Sequence, residues 1–148
     1  MEAVVATLHH GIPVARMELL DDVQMAACIA YSRLNDLAPL PTLSFELHGS
    51  PGAVEADLEQ VRLVCEQTGG RGFRVATSHE ERNRLWRARH DAYWAARQLA
   101  PGKEGIATDA WVPISKLPEI IQLARHEAAK RQLVAPIVGH WATATSTC

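Results

Sequence analysis

Cysteine is scarce in this chain: Cys28, Cys65 and Cys148 are odd in number and far apart over 148 residues. That excludes a disulfide framework and a cysteine-rich zinc cluster, and fits a reduced compartment with incidental thiols. Basic clustering is also missing. With a formal net charge of −2 and its Lys and Arg residues scattered, the chain offers no electrostatic footprint for nucleic acid or an anionic membrane. No apolar run approaches the roughly 20 residues of a transmembrane helix, and the N-terminus shows no charged segment followed by an apolar stretch and cleavage site. The expected address is cytoplasmic, or mitochondrial for a eukaryotic source. A Gly-rich strand-to-helix turn of the dinucleotide type and a phosphate-cradling loop are both absent. What is present, 47% hydrophobic and 22% charged residues, suffices to bury one core.

The periodicities alternate between strand and helix. Val14–Leu20 and Thr42–His48 each place apolar side chains at every second position, as half-buried strands do. Between them, Asp21 or Asp22 can cap a helix whose stripe is Val23, Ala27, Ala30, Leu34 and Leu37. Ser50 and Pro51 open a helix with the stripe Val54, Leu58, Val61 and Cys65, stopped by Gly69 and Gly70. A third strand is expected over Phe73–Thr77. Ser78 and Glu81 form a capping box for a helix running to about Leu99. After a polar loop at 101–105, a strand is expected over Ile106–Ile114, with Pro113 at its end. Ser115 then caps a helix carrying Leu117, Ile121, Ala124 and Ala128, and a last strand covers Ala135–Gly139. This order predicts an α+β fold, a ferredoxin-like antiparallel sheet with helices packed on one face.

Five segments in this order resemble the FAD-linked oxidase C-terminal domain family, the cap domain of flavoenzymes acting on D-lactate and glycolate. They are Gly11–Asp21, Leu43–Gly49, Glu80–His90, Thr108–Pro118 and Ile137–His140. The resemblance implies an FAD-dependent D-2-hydroxy-acid dehydrogenase, of which residues 1–140 form part of the substrate-side domain. The FAD would be held mainly by a separate N-terminal domain, and the partners would be a 2-hydroxy acid and an electron acceptor. The reading from another functional class is a stand-alone α+β interaction or small-ligand-binding module.

Arg89 is the residue with most chemical weight. A 2-hydroxy acid presents a planar carboxylate, and a guanidinium grips it with two parallel bonds. The resemblance places the arginine of the Leu-Trp-x-x-Arg segment, Arg89, in the substrate pocket, with Trp86 and Tyr93 expected on the same helix face. His140 matches the first histidine of the family's Gly-His-x-Gly-Asp-Gly-Asn-x-His motif, which implies a divalent metal such as Zn or Mn in the parent enzyme. After His140 the motif stops. One deleted nucleotide would turn codons for His-Val-Gly-Asp-Gly-Asn-Phe-His-Leu into His-Trp-Ala-Thr-Ala-Thr-Ser-Thr-Cys, the sequence of residues 140–148. Residues 141–148 are therefore expected to be an out-of-frame tail, and His140, lacking its partners, the remnant of a metal site. Asp109 either faces the pocket or caps a loop, the structural role ranking first. His9, His10, His79, His90 and Trp94 show no ligand spacing, and surface or core roles are expected for them.

Overall fold

The computed structural model describes residues 1–141; the remainder of the expected tail, 142–148, lies outside the described residues. The elements are α1 (Glu2–His9), β1 (Val14–Leu20), α2 (Asp22–Ser32), β2 (Thr42–Leu47), α3 (Pro51–Gln67), α4 (His79–His90), α5 (Ala92–Arg97), a 3-10 turn (Ile114–Lys116), α6 (Leu117–Lys130) and β3 (Val138–Trp141). The three strands make an antiparallel sheet in the order β2-β1-β3, which with the surrounding helices is an α+β fold.

Strand β1 is central, and its two faces have different chemistry. Met17 and Leu19 stand opposite Phe45 and Leu43 of β2 and opposite Trp141 and Gly139 of β3. This face forms the larger core, in which Val4 of α1, Val61 and Val64 of α3 and Leu117 of α6 pack around a fully buried Met17. The indole of Trp141 lies across Gly139, where a Cβ would collide with it. Trp141, the first residue of the expected tail, thus continues β3. The register slips between Val14 and Arg16. That bulge lets Val14 and Met17 both reach the core while Arg16 and Glu18 turn to the opposite face. At the Leu20 end of this second face a smaller core gathers Met25, Ala27 and Cys28 of α2 with Ala88, Ala92 and Ala95 of α4 and α5.

Local signals explain where several helices begin and end. The Asp21 carboxylate accepts from the Gln24 amide at 2.8 Å, and Ser78 accepts from the Glu81 amide at 3.1 Å, so these two expected caps form, whereas Ser50 makes no side-chain capping bond and Ser115 lies within the 3-10 turn that precedes α6. Helix α2 stops earlier than its stripe suggests, because Arg33 adopts a left-handed conformation (φ 55°) and its amide turns back to Ile29. Leu34 and Leu37 therefore reach the core from a loop, and Val23 and Ala30 are exposed, leaving Gln24, Met25, Ala27 and Cys28 as the buried face. The helix expected to run to Leu99 breaks at Asp91 into α4 and α5. Helix α1 carried no clear signal in the sequence.

Two expected strands do not form. Residues 73–77 are irregular; the Phe73 ring lies under the Arg62 guanidinium at 4.8 Å, and Arg74 is tied to Asp36. Residues 106–113 are also irregular, with Ile106 89% and Trp111 98% exposed. Apolar alternation marks side chains suited to a pleated surface, but a strand also needs a neighbour to complete its ladder. Among the described residues neither segment has one. The last strand begins at Val138 rather than Ala135, since its ladder starts where Val138 meets Leu20.

Candidate functional site

The second face of the sheet carries a polar cleft of about 400 Å³ lined by Ala15, Arg16, Glu18, Arg89, His90 and His140. Its centre is Glu18, whose side chain is only 6% exposed. A buried carboxylate is costly unless both oxygens are compensated. Here His140 Nδ1 lies 2.9 Å from Oε1, and the Nε of Arg89 is ion-paired with Oε2. Strand register fixes the first contact, because Glu18 and His140 are facing partners on β1 and β3. Helix α4 supplies the second. Its placement is held by the buried Ala88, whose carbonyl accepts from the Cys28 thiol at 3.2 Å, and by Trp86, which lies under the Arg16 guanidinium at 4.7 Å.

The rim is also charged. Arg16 lies 3.6 Å from Glu46, its facing partner on β2, and Glu46 also pairs with His48 at 3.0 Å. Arg16 is thus neutralised at the edge of the cleft, while Arg89 and Glu18 balance each other at its centre. Among the described residues no further hydrogen bond or ion pair engages the Arg89 guanidinium, which is partly exposed at the cleft.

Both residues singled out from the sequence, Arg89 and His140, are brought together here. Of the aromatic companions expected for Arg89, Trp86 is nearby, whereas Tyr93 falls beyond the break at Asp91 and packs edge-on against Trp94 with ring centroids 5.3 Å apart. Asp109 is exposed in the irregular segment and does not line the cleft. His90 also lines it, as an exposed residue in keeping with the surface role expected for it. Glu18 was missed. Its signal was available, since Glu18 sits in an otherwise apolar run, Met17–Leu20, on the strand that becomes central.

The donor set does not complete a metal site. Glu18 and His140 supply two donors, whereas zinc sites take three or four from the protein. Among the described residues no group of three or more His, Cys, Asp or Glu side chains could hold a metal ion. Nor does a cleft lined by two arginines, two histidines, a glutamate and an alanine offer an extended apolar wall for an isoalloxazine ring.

The family model for FAD linked oxidases, C-terminal domain, matches residues 1–146. The chain is 40% identical over 140 residues to "Probable D-lactate dehydrogenase, mitochondrial" of Danio rerio, covering 95% of this chain and 28% of that protein. It is 34% identical over 139 residues to "D-lactate dehydrogenase [cytochrome], mitochondrial" of Arabidopsis thaliana, covering 94% of this chain and 24% of that protein. Identity to "D-lactate dehydrogenase [cytochrome] 1, mitochondrial" of Saccharomyces cerevisiae is 31% over 137 residues, covering 88% of this chain and 23% of that protein. The chain spans about a quarter of the length of these curated relatives. With a family model covering nearly all of it, the chain belongs to the FAD-linked oxidase C-terminal domain family.

Proposed function

We propose that this chain is the substrate-side part of an FAD-dependent D-2-hydroxy-acid dehydrogenase, with Arg89 binding the carboxylate of an acid of the D-lactate or glycolate type. The observation that carries the reading is the convergence of Arg89 and His140, from α4 and β3, on the buried Glu18. The terminal guanidinium nitrogens of Arg89 match a planar carboxylate in geometry and charge. The imidazole of His140, half exposed in the same cleft, stands where the acid's hydroxyl can meet it. In the parent enzyme FAD supplies the hydride acceptor, and an electron acceptor reoxidises it; the residues of this chain bind and orient the acid. A mitochondrial address is proposed by likeness to the named relatives. Among the described residues no helix is long and apolar enough to cross a membrane.

Two measurements test this. Titration of the 15N-labelled chain with D-lactate should shift the side-chain signals of Arg89 and His140, and Arg89→Ala should abolish the response. The chain alone, given D-lactate, FAD, manganese or zinc and a dye acceptor, should show no turnover above a heat-killed control. Dye reduction by the isolated chain, or D-lactate shifts unaffected by Arg89→Ala, would overturn the proposal.

A further inference from the structure

We propose that the chain pairs with a second copy of itself, residues 106–112 of each copy adding as a strand to the outer edge of β3 in the other. Two unmet requirements carry this, and the first is the edge. Strand β3 is paired on one side only, with β1. The Asp21 amide donates to the Ile137 carbonyl at 3.1 Å, and antiparallel ladders alternate bonded with non-bonded pairs, so Gly139 and Trp141 bond to β1. The backbone groups of Val138 and His140 then point outward, and among the described residues they have no backbone partner. Such a row is a template for another strand.

The second is the segment. Ile106, Thr108, Ala110 and Val112 alternate with Ala107, Asp109 and Trp111, a pattern suited to a pleated surface, yet no ladder forms there. Ile106 and Trp111, 89% and 98% exposed, are more exposed than any other large hydrophobic residue among those described. Strand alternation separates the two sets. With Ile106, Ala110 and Val112 continuing the apolar face of the sheet, Asp109 and Trp111 join the face that carries Arg16, Arg89, His90 and His140. A carboxylate and an indole both complement that cationic surface.

A second copy is the occupant that fits. A segment able to reach β3 of its own chain would have a high effective concentration there and would pair in cis. The folded chain leaves it unpaired, held at one end where Val112 packs on the larger core and Pro113 starts the turn before α6. In a reciprocal pair both edges and both segments are satisfied, and the contact closes on a two-fold axis. The two Trp111 side chains contribute roughly 300–500 Å² toward the about 1,200–2,000 Å² of a stable interface. Both Ile106 side chains and both added strands supply the remainder, which places the dimer at the small, readily dissociating end of that range. The inference does not depend on what the cleft binds.

The test is sedimentation equilibrium of the full chain over roughly 5–500 µM, with amide hydrogen exchange read by mass spectrometry at both ends of the range. The expected result is a mass rising from one chain toward two, with exchange slowing together in 106–112 and 138–140. Trp111→Lys removes a side chain that the monomer leaves in water, so it should preserve the circular dichroism of the dilute chain. It should raise the dimer dissociation constant more than about tenfold, as loss of a tryptophan anchor does, whereas Trp111→Phe should keep the dimer. A monomer at every concentration overturns the proposal, including one whose 106–112 segment is already protected, which would show closure in cis. So does a dimer that Trp111→Lys leaves unchanged, or one in which 138–140 gains no protection.

Discussion

Arg89→Ala strips the guanidinium from a carboxylate whose side chain keeps 6% of its surface in water. Deleting one partner of a fully buried ion pair costs about 3–5 kcal/mol, because the surviving charge is left desolvated. Two features lower that figure here. The Arg89 side chain is 33% exposed, so solvent already screens it, and the contact between His140 Nδ1 and Glu18 Oε1 remains after the substitution. The expected cost is therefore about 2 kcal/mol, which in a chain of this size lowers Tm by roughly 4–8 °C. A double-mutant cycle isolates the cause. In a Glu18→Leu background there is no charge for Arg89 to compensate, so Arg89→Ala should cost under about 0.5 kcal/mol and leave a coupling energy of about 1.5 kcal/mol. Urea unfolding followed by tryptophan fluorescence and far-UV circular dichroism gives the four free energies, and coincidence of the two probes checks that unfolding is two-state. A coupling energy within experimental error of zero would refute the claim that Arg89 and Glu18 act as a pair.

Met17→Ala should cost about 2–5 kcal/mol in the same urea assay, because Met17 is fully buried at the centre of the larger core and the cavity can collapse only in part. Cys28 should resist iodoacetamide in the folded chain and react on unfolding, as read by peptide mass spectrometry. Burial pushes its thiol pKa above the ordinary value, outweighing the Gln24 hydrogen bond that lowers it. The Asp36 carboxyl is held below the ordinary carboxylate range by a backbone hydrogen bond from its own amide, and then by Arg84 and Arg74. A depressed folded-state pKa contributes stability above the ordinary carboxylate pKa and loses it as pH falls through the folded-state value. Acid titration of Asp36→Asn, followed by circular dichroism, should therefore show a weaker loss of stability at the acid end than wild type.

Strand β1 and the caps at Asp21 and Ser78 were legible because each rests on local chemistry: alternation along the strand, and an acceptor three residues before an amide. The missing strands at 73–77 and 106–113 show the limit of that reading. Their alternation is real, but whether a ladder forms depends on which strand lies alongside, and that is a tertiary fact. The cleft divides in the same way. Arg89 and His140 could be picked out by residue type and by resemblance, whereas Glu18 joins them only once β1 and β3 are in register. The bulge that turns Arg16 and Glu18 together toward the cleft, and the break at Asp91 that takes Tyr93 away from it, leave no distinctive pattern in the chain.

The central claim, that Arg89 binds the acid on which an FAD enzyme acts, is most directly tested by a chimera. Residues 1–140 would replace the matched segment of the Arabidopsis thaliana relative, and D-lactate-dependent reduction of a dye acceptor would be followed at steady state. The account predicts an active chimera in which Arg89→Ala lowers kcat/KM roughly a hundredfold, the loss expected when a charged contact to the substrate is deleted. A folded, flavin-loaded chimera without D-lactate turnover, or an active one in which Arg89→Ala leaves kcat/KM unchanged, would contradict it.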